Sequence, residues 1–297
     1  MMQIEEQEHS LDFESCRKLI EFELGSYFLG EHPYARLLES MRYSLLAGGK
    51  RIRAVLCVKF CEAAEGDPLK ALGAACAIEM LHAYSLIHDD LPCMDDDDLR
   101  RGMPSNHIAY GESTATLAGD ALQAAAFEAL LSSDLPPENL VEMGKVLANA
   151  AGPHGICGGQ LLDIAGEGRE LSLAELEGIN RLKTAALICA SAEIGVLAAG
   201  GSLEQRNAAR EYALSLGLAF QIRDDVLDYT ASQDELGKPV FSDRDKGKST
   251  YASLLDEDEC ERIILEETAK AISAIDGSFG KTGFLKWLAL MLSKRNN

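Results

Sequence analysis

The sequence predicts an all-α fold of ten or more helices. Apolar residues recur with helical spacing along nearly the whole chain. Ala and Leu are abundant whereas Val and Thr are scarce, which favours helices over sheets. No segment shows the apolar–polar alternation of a half-buried strand, and no repeat of fixed period occurs. We therefore expect a bundle of packed helices.

Segments rich in glycine and proline divide the chain into helical stretches. They lie at residues 66–68, 92, 102–104, 136–137, 152–153, 166–168, 200–201 and 237–239. Two long helices are well marked. One is predicted from about Leu69 to Asp90, because Pro92 prevents its continuation, and the other from about Leu203 to Tyr229. Both helices end in aspartates.

The composition excludes several classes of partner. The 297 residues include 28 Lys and Arg against 48 Asp and Glu, a formal net charge of −20 at pH 7. Such acidity opposes binding to nucleic acid and stable association with anionic membranes. The length is enough to bury a large core without disulfides or a structural metal, and it allows one large domain or two.

The cysteines and the apolar runs predict a cytoplasmic protein. Eight cysteines are scattered through apolar stretches without the spacing of a disulfide framework or a zinc site, so we expect free thiols. The first residues are acidic where a signal peptide would be basic. The longest apolar run, 184–200, contains Glu193 and is shorter than the ~20 residues of a membrane span.

Aspartates gather where both long helices end. The first cluster comprises Asp89, Asp90 and Asp95, and the second comprises Asp224, Asp225 and Asp228, with Gln221 one turn earlier. A single pair would be typical of a solvated surface, but like charges at a helix C-terminus repel each other, and a divalent cation removes that cost. Oxygen ligands favour Mg²⁺ or Ca²⁺. An EF-hand is excluded because Arg100 stands where its glycine is required, so we predict Mg²⁺ with a phosphate ligand.

Cations gather at five places in this acidic chain. They are residues 48–53 (GGKRIR), Arg100-Arg101, Lys183-Thr184, Gly237-Lys238 and residues 247–250 (GKST). Arg binds phosphate oxygens in pairs, and glycine lets backbone N–H groups approach an anion. No cluster is a P-loop, because Ser44, Ser242 and Ile275 stand where its first glycine belongs. Each cluster alone is typical of a surface, but together with the aspartates they indicate two anionic substrates.

These motifs, in this order, resemble those of the trans-isoprenyl diphosphate synthases, most closely the bacterial farnesyl diphosphate synthases. Residues 89–95 resemble the first aspartate-rich motif of that family, in its bacterial form with two extra residues, and 224–228 resemble the second. The Gly-Gly-Gln at 158–160 and the Gly-Lys-Ser-Thr-Tyr at 247–251 also match. The resemblance extends over about residues 35–255.

The resemblance implies a Mg²⁺-dependent prenyltransferase. It would condense isopentenyl diphosphate head to tail with dimethylallyl or geranyl diphosphate, giving (2E,6E)-farnesyl diphosphate and diphosphate. It further implies an isoprenoid-synthase bundle around a central cavity, one domain over 1–297, and a homodimer. A geranyl or geranylgeranyl diphosphate synthase is the alternative. A terpene cyclase is less favoured, because cyclases replace the second aspartate motif and have no second diphosphate site.

The resemblance also implies the roles of individual residues. Three Mg²⁺ ions, or Mn²⁺ instead, would be bound by Asp89, Asp95 and Asp224, with Asp90, Asp225 and Asp228 in support. The allylic diphosphate would contact Arg100, Lys183, Thr184, Gln221, Lys238 and Lys248. Isopentenyl diphosphate would contact Gly49, Lys50, Arg53, His82 and Arg101. The catalytic residues would be Lys183, Thr184, Gln221 and Lys238, which stabilise developing charge.

The residues before the first aspartate cluster suggest a product length. Helix geometry places Ser85 one turn before Asp89, and Tyr84 about 7 Å along the axis from the metal site. In relatives, a bulky aromatic residue at that depth blocks the growing chain. Tyr84 therefore predicts a C15 product.

Three further positions have two readings. His82 shares a helix face with Asp89, but a lone histidine is more often a core residue, and only the resemblance makes it a phosphate ligand. The remaining histidines, including His88, are expected to be structural. Gln160 and Asp163 either line the cavity or pack between helices.

Overall fold

The computed structural model describes residues 2–230 and 248–295, and Lys238 lies outside them. Its helices are α1 (Met2–Gly25), α2 (Ala35–Leu45), α3 (Ile52–Ala63), α4 (Leu72–Asp89), α5 (Asn106–Tyr110), α6 (Glu112–Leu131), α7 (Pro137–Ala151), α8 (Ile156–Gly166), α9 (Leu173–Asn180), α10 (Ala186–Ala198), α11 (Leu203–Thr230), α12 (Tyr251–Leu254), α13 (Glu257–Ala274) and α14 (Gly283–Ser293). The predicted all-α fold class is confirmed.

Both long helices form close to where the sequence predicts them. A 3₁₀ turn, Pro68–Ala71, precedes α4, because the Asp67 side chain accepts a hydrogen bond from the Leu69 N–H and Pro68 begins the turn. The regular helix therefore starts three residues later than predicted, at Leu72, and ends at Asp89. Helix α11 extends one residue past the predicted end, to Thr230.

A two-stranded hairpin follows the first aspartate cluster. Strands β1 (Leu99–Arg100) and β2 (Met103–Pro104) pair antiparallel. Arg101 and Gly102, which form the turn, have φ values of 55° and 75°, as a tight turn of this hand requires. Strands of two residues are too short to show alternation in sequence, and the glycine at 102 was the only local signal for the turn.

The core is centred on α3, α4 and α10, which bury apolar residues on nearly every side. Helices α3 and α10 pack closely at Gly195, where an added Cβ would lie 2.2 Å from the Cys57 carbonyl oxygen. Arg51 and Glu79 form a buried ion pair at 3.0 Å between α3 and α4. This packing holds the N-terminus of α3, and with it the Gly48–Arg53 segment, beside α4.

The eight cysteines are free thiols, as predicted. Among the described residues, no helix is both apolar and long enough to cross a membrane.

Candidate active site

Two adjoining cavities bring most of the predicted site residues together. The first cavity, about 470 Å³, is lined among others by Asp95, Arg100, Arg101, Asp163, Lys183, Thr184, Gln221, Asp225 and Lys248. The second cavity, about 810 Å³, is lined among others by Gly49, Lys50, Arg53, His82, Arg100, Arg101, Gln221, Asp224, Asp225, Asp228 and Arg295. Arg100, Arg101, Gln221 and Asp225 border both cavities. The residues predicted for the two substrates are thus divided between neighbouring spaces.

Two ammonium groups share one carboxylate in the first cavity. Lys183 Nζ lies 2.6 Å from Asp163 Oδ2, and Lys248 Nζ lies 3.5 Å from the same oxygen. Lys248 Nζ also lies 3.0 Å from Asp95 Oδ1 and 3.6 Å from Glu167 Oε1. Asp163 therefore belongs to the cavity, one of the two readings that the sequence left open. Both lysines are held in place before any anion binds.

The position of Lys183 depends on irregular helix geometry. Residues Arg181–Ala185 form a π-helical turn between α9 and α10, a feature that often marks a functional site. Gly159 of α8 packs against this turn, and an added Cβ there would lie 2.3 Å from the Lys183 amide nitrogen. The glycine in the Gly-Gly-Gln motif thus has a packing role beneath Lys183.

A chain of hydrogen bonds connects Thr184 to α11. Thr184 Oγ1 donates to Gln221 Oε1 at 3.1 Å, and Gln221 Nε2 donates to Asp225 Oδ1 at 2.9 Å. The other Asp225 oxygen accepts the Tyr251 backbone N–H at 2.8 Å. Asp225 therefore anchors α12 and orients Gln221, and its predicted role in support of the metal ligands stays a prediction.

The first aspartate cluster is crowded with negative charge. Burial raises the pKa of Asp89 to about 6; Lys183 opposes this shift and the nearby Asp95 carboxylate adds to it. The Asp95 backbone N–H donates to the Asp89 carbonyl oxygen at 2.9 Å, so the loop after α4 folds back on the helix end. Arg100 Nε donates to the buried Asp90 carboxylate at 3.0 Å. Arg100 thus holds Asp90, and the crowding falls on Asp89 and Asp95.

The arrangement fits a cation, although the ligands are not gathered. Among residues 2–230 and 248–295, no three His, Cys, Asp or Glu side chains are already arranged to hold a metal ion. The Lys248 ammonium nevertheless lies among three carboxylates, those of Asp95, Asp163 and Glu167, and Asp224 pairs with Arg295. These contacts show that positive charge is favoured here, and the oxygen donors suit Mg²⁺. The ligand set Asp89, Asp95 and Asp224 remains a prediction.

The second cavity concentrates positive charge in a buried setting. Burial lowers the pKa of Arg53, and within the described residues its Nε has no hydrogen-bond partner. Arg101 donates to the Gly48 carbonyl oxygen and packs over Gly49, where an added Cβ would lie 2.9 Å from the guanidinium carbon. Gly49 also has φ +122°, so glycine is required there on two grounds. A phosphate would satisfy these groups.

Comparison with known proteins identifies the family. The sequence profile of the family described as Polyprenyl synthetase matches residues 34–274. The chain belongs to the polyprenyl synthetase family.

Individual relatives of this polyprenyl synthetase differ in product. Farnesyl diphosphate synthase from Geobacillus stearothermophilus is 47% identical over 242 residues, 80% of this chain and 82% of the relative. Geranylgeranyl pyrophosphate synthase 3 from Arabidopsis thaliana is 51% identical over 223 residues, 73% of this chain and 62% of the relative. The crystal structure of a Helicobacter pylori geranyltransferase complexed with magnesium and isoprenyl diphosphate superposes with a TM-score of 0.84 at 32% identity, covering 96% of each chain. The chain is therefore a prenyltransferase, and the relatives leave its product length open.

The two predicted chain-length residues of the synthetase lie outside the linings of the two cavities. Neither Tyr84 nor Ser85 lines the two cavities that the described residues form. Tyr84 is only 6% exposed, and Ser85 Oγ donates to the His82 carbonyl oxygen at 2.9 Å. Tyr84 thus lies in the interior along α4, and its limit on product length stays a prediction.

Arg295 was not predicted as a site residue of this synthetase. It lines the second cavity, and its guanidinium lies 4.3 Å from the centre of the Phe220 ring. Its signal in the sequence is a pair of cations at the end of an acidic chain.

The pH dependence of stability tests the environment of His82. Burial, with the charges of Arg53, Arg101, Arg51 and Arg100, lowers the pKa of His82 far below that of a free histidine. As the pH falls below about 6.5, the unfolded chain therefore takes up a proton that the folded protein excludes. Each further pH unit then lowers the free energy of unfolding by up to about 1.4 kcal/mol.

We expect the melting temperature of His82→Gln to fall less than that of the wild type when the pH is lowered from 7.5 to 5.5. Differential scanning calorimetry measures this difference. His154→Gln, at an exposed position, serves as the control. Equal pH dependence in the wild type and His82→Gln would contradict the assigned environment.

Proposed function

We propose that this polyprenyl synthetase is a Mg²⁺-dependent farnesyl diphosphate synthase. It joins isopentenyl diphosphate to dimethylallyl or geranyl diphosphate and releases (2E,6E)-farnesyl diphosphate and diphosphate. The observation that carries the proposal is the pair of adjoining cavities, each with its own set of cations. A condensation of two diphosphates needs two such sites, whereas a cyclase needs one.

In the proposed reaction, the first cavity binds the allylic diphosphate. The allylic carbon–oxygen bond breaks, which leaves a carbocation and a diphosphate that gains negative charge. Lys183 and Lys248, already held by Asp163, would stabilise that charge without first having to become ordered. Mg²⁺ held by Asp89, Asp95 and Asp224 would supply further charge neutralisation at the leaving group. Lys238 is proposed to act with these two lysines, and the basis for this role is the family resemblance alone.

The hydrogen-bond chain from Thr184 suits the carbocation. The Thr184 hydroxyl donates a hydrogen bond to Gln221, and the Gln221 amide donates one to Asp225. The chain of hydrogen bonds is therefore polarised towards the carboxylate. The lone pairs of the Thr184 oxygen remain available in the first cavity, where they would stabilise positive charge on carbon. No side-chain base is assigned, and the departing diphosphate is proposed to take the proton that the product loses.

The second cavity would bind isopentenyl diphosphate. Its negative charge matches Lys50, Arg53 and Arg101, and a neutral His82 would donate one N–H to a phosphate oxygen. The shared border at Gln221 would let the double bond reach the allylic carbon in the first cavity, where the new carbon–carbon bond forms.

A product assay tests the function. The purified protein is incubated with Mg²⁺, isopentenyl diphosphate and geranyl diphosphate, and the dephosphorylated products are separated by chromatography. We expect farnesol as the main product and none when EDTA is added. Absence of prenyl transfer would overturn the proposal, and a C20 main product would select a geranylgeranyl diphosphate synthase, the activity named for the plant relative.

The position of Tyr84 leads to a prediction on chain length. We expect Tyr84→Ala to shift the main product from C15 to C20 or longer, because removing a buried aromatic ring leaves space along α4 for a further isoprene unit. The same chromatographic assay measures the change. The control, Tyr34→Ala, alters a tyrosine that is 54% exposed. An unchanged C15 product would show that Tyr84 does not limit the chain.

We also propose a homodimer in the cytoplasm. Leu117, Leu131 and Val141 are each more than half exposed on α6 and α7, and a second copy of the chain would bury them. The free state of all eight cysteines suits a reducing compartment. Light scattering coupled to size-exclusion chromatography would give twice the mass of 32.1 kDa for the dimer.

A further inference from the structure

The Tyr84 side chain is restrained by three helices. It projects from α4, and its hydroxyl lies 3.2 Å from Cys157 Sγ at the start of α8. The Gln123 side chain of α6 interacts with the phenol and slightly opposes the rise of its pKa. Burial raises the pKa of Tyr84, so the phenol keeps its proton and can donate it to sulfur. The hydroxyl is thus held where α4, α6 and α8 meet.

The ring of Tyr84 is restrained separately from its hydroxyl. It packs edge to face against His88, one turn further along α4, with ring centres 5.3 Å apart and an interplanar angle of 86°. His88 Nε2 donates to the Thr116 carbonyl oxygen of α6 at 3.0 Å. Gly119 leaves room for the imidazole, since a Cβ there would lie 2.2 Å from Nε2. His88 is therefore fixed by α6, and it limits the movement of the ring on that side.

On the α8 side, only the contact with Cys157 is available to hold the hydroxyl within the described residues. This contact is partly buried, and Cys157 itself is exposed. A hydroxyl that loses its partner there moves towards another one, because an unsatisfied polar group is costly. Loss of the thiol would therefore leave the Tyr84 side chain with its contacts to α6 and to His88 of its own helix. The ring would then swing aside more easily and open the space between α4 and α8.

We propose that Cys157 is a positioning residue that limits product length, because its thiol holds Tyr84 across the path of the growing chain. This inference rests on the proposed function and on the role of Tyr84 in it. Product length would then depend on α8 as well as on α4.

Four variants test the proposal. Cys157→Ala removes the hydrogen-bonding sulfur, whereas Cys157→Ser replaces it with a hydrogen-bonding oxygen. Tyr84→Phe removes the hydroxyl but keeps the ring. The fourth variant combines Cys157→Ala with Tyr84→Phe. The assay uses Mg²⁺, isopentenyl diphosphate and geranyl diphosphate, and measures the ratio of C20 to C15 product. Melting temperatures establish that each variant is folded.

We expect Cys157→Ala to raise the C20 to C15 ratio roughly threefold, the order expected for one weak hydrogen bond. Tyr84→Phe should give a similar ratio, and the double variant should not exceed either single one, because both changes break the same contact. Cys157→Ser should stay near the wild-type ratio. A purely structural role for Cys157 would lower activity without moving the ratio.

The result for the wild type and the comparison between variants answer different questions. A wild type without prenyl transfer, or with a main product other than C15, overturns the proposed farnesyl function. The role of Cys157 is overturned if Cys157→Ala keeps the wild-type ratio, if Cys157→Ser shifts it as much as Cys157→Ala, or if the two changes in the double variant are additive.

Discussion

Replacement of Lys183 by methionine is expected to lower kcat about 10²- to 10³-fold, the usual cost of removing one preorganised charge from a developing anion. The Lys183 ammonium is held 2.6 Å from Asp163 on a π-helical turn, and it lines the cavity assigned to the allylic diphosphate. Methionine keeps the length and the apolar stem of the side chain but removes the charge. Steady-state kinetics with geranyl diphosphate measures the effect.

The division of the loss between kcat and KM shows what Lys183 does. If the charge acts mainly on the transition state, kcat falls and KM for geranyl diphosphate changes little. Lys145→Met is the matched control, since Lys145 is 68% exposed and pairs only with Glu142 of its own helix among the described residues. A Lys183→Met variant with wild-type kcat would remove Lys183 from the catalytic residues.

The helices were predictable where local signals determine them. The proline at 92 and the long apolar period predict the end of α4 to within one residue. The end of α11 is also predicted to within one residue. The hairpin at Leu99–Pro104 and the π turn at Arg181–Ala185 were not predicted. Two-residue strands show no alternation, and one extra residue in a helical turn shifts the apolar pattern by a single position, which the variation along a helix hides.

The site was predictable as a set of residues but not as a set of contacts. The sequence identified Lys248 and Asp95, yet their ion pair joins positions 153 residues apart. The sequence could not decide whether Asp163 lines the cavity or packs between helices, because its partners, Lys183 and Lys248, come from distant parts of the chain. Periodicity and motif spacing describe neighbours along one helix, whereas ion pairs across a cavity depend on how helices pack. The pairing of Arg295 with Asp224 was missed for the same reason.

Asp89→Asn is expected to have opposite effects on stability and on activity. Burial and the neighbouring Asp95 carboxylate raise the pKa of Asp89 to about 6, so at pH 8 the folded protein holds a charge that the unfolded chain accommodates more easily. A neutral amide removes that cost. In the absence of Mg²⁺ we expect about 1 to 2 kcal/mol of added stability and a melting temperature raised by about 2 to 5 °C. Activity should fall at least 100-fold, about the loss expected for removing charge stabilisation at the leaving group.

The measurement that separates the two effects is the melting temperature at pH 8, with and without Mg²⁺ plus inorganic diphosphate. The wild type should gain stability when both are added, because they bind the folded state, and Asp89→Asn should gain less. The control Asp134→Asn alters a side chain that is 96% exposed and should behave like the wild type in every condition. A less stable Asp89→Asn without Mg²⁺, or one that gains as much from Mg²⁺ and diphosphate as the wild type, would contradict the role of Asp89 as a metal ligand held at a cost in stability.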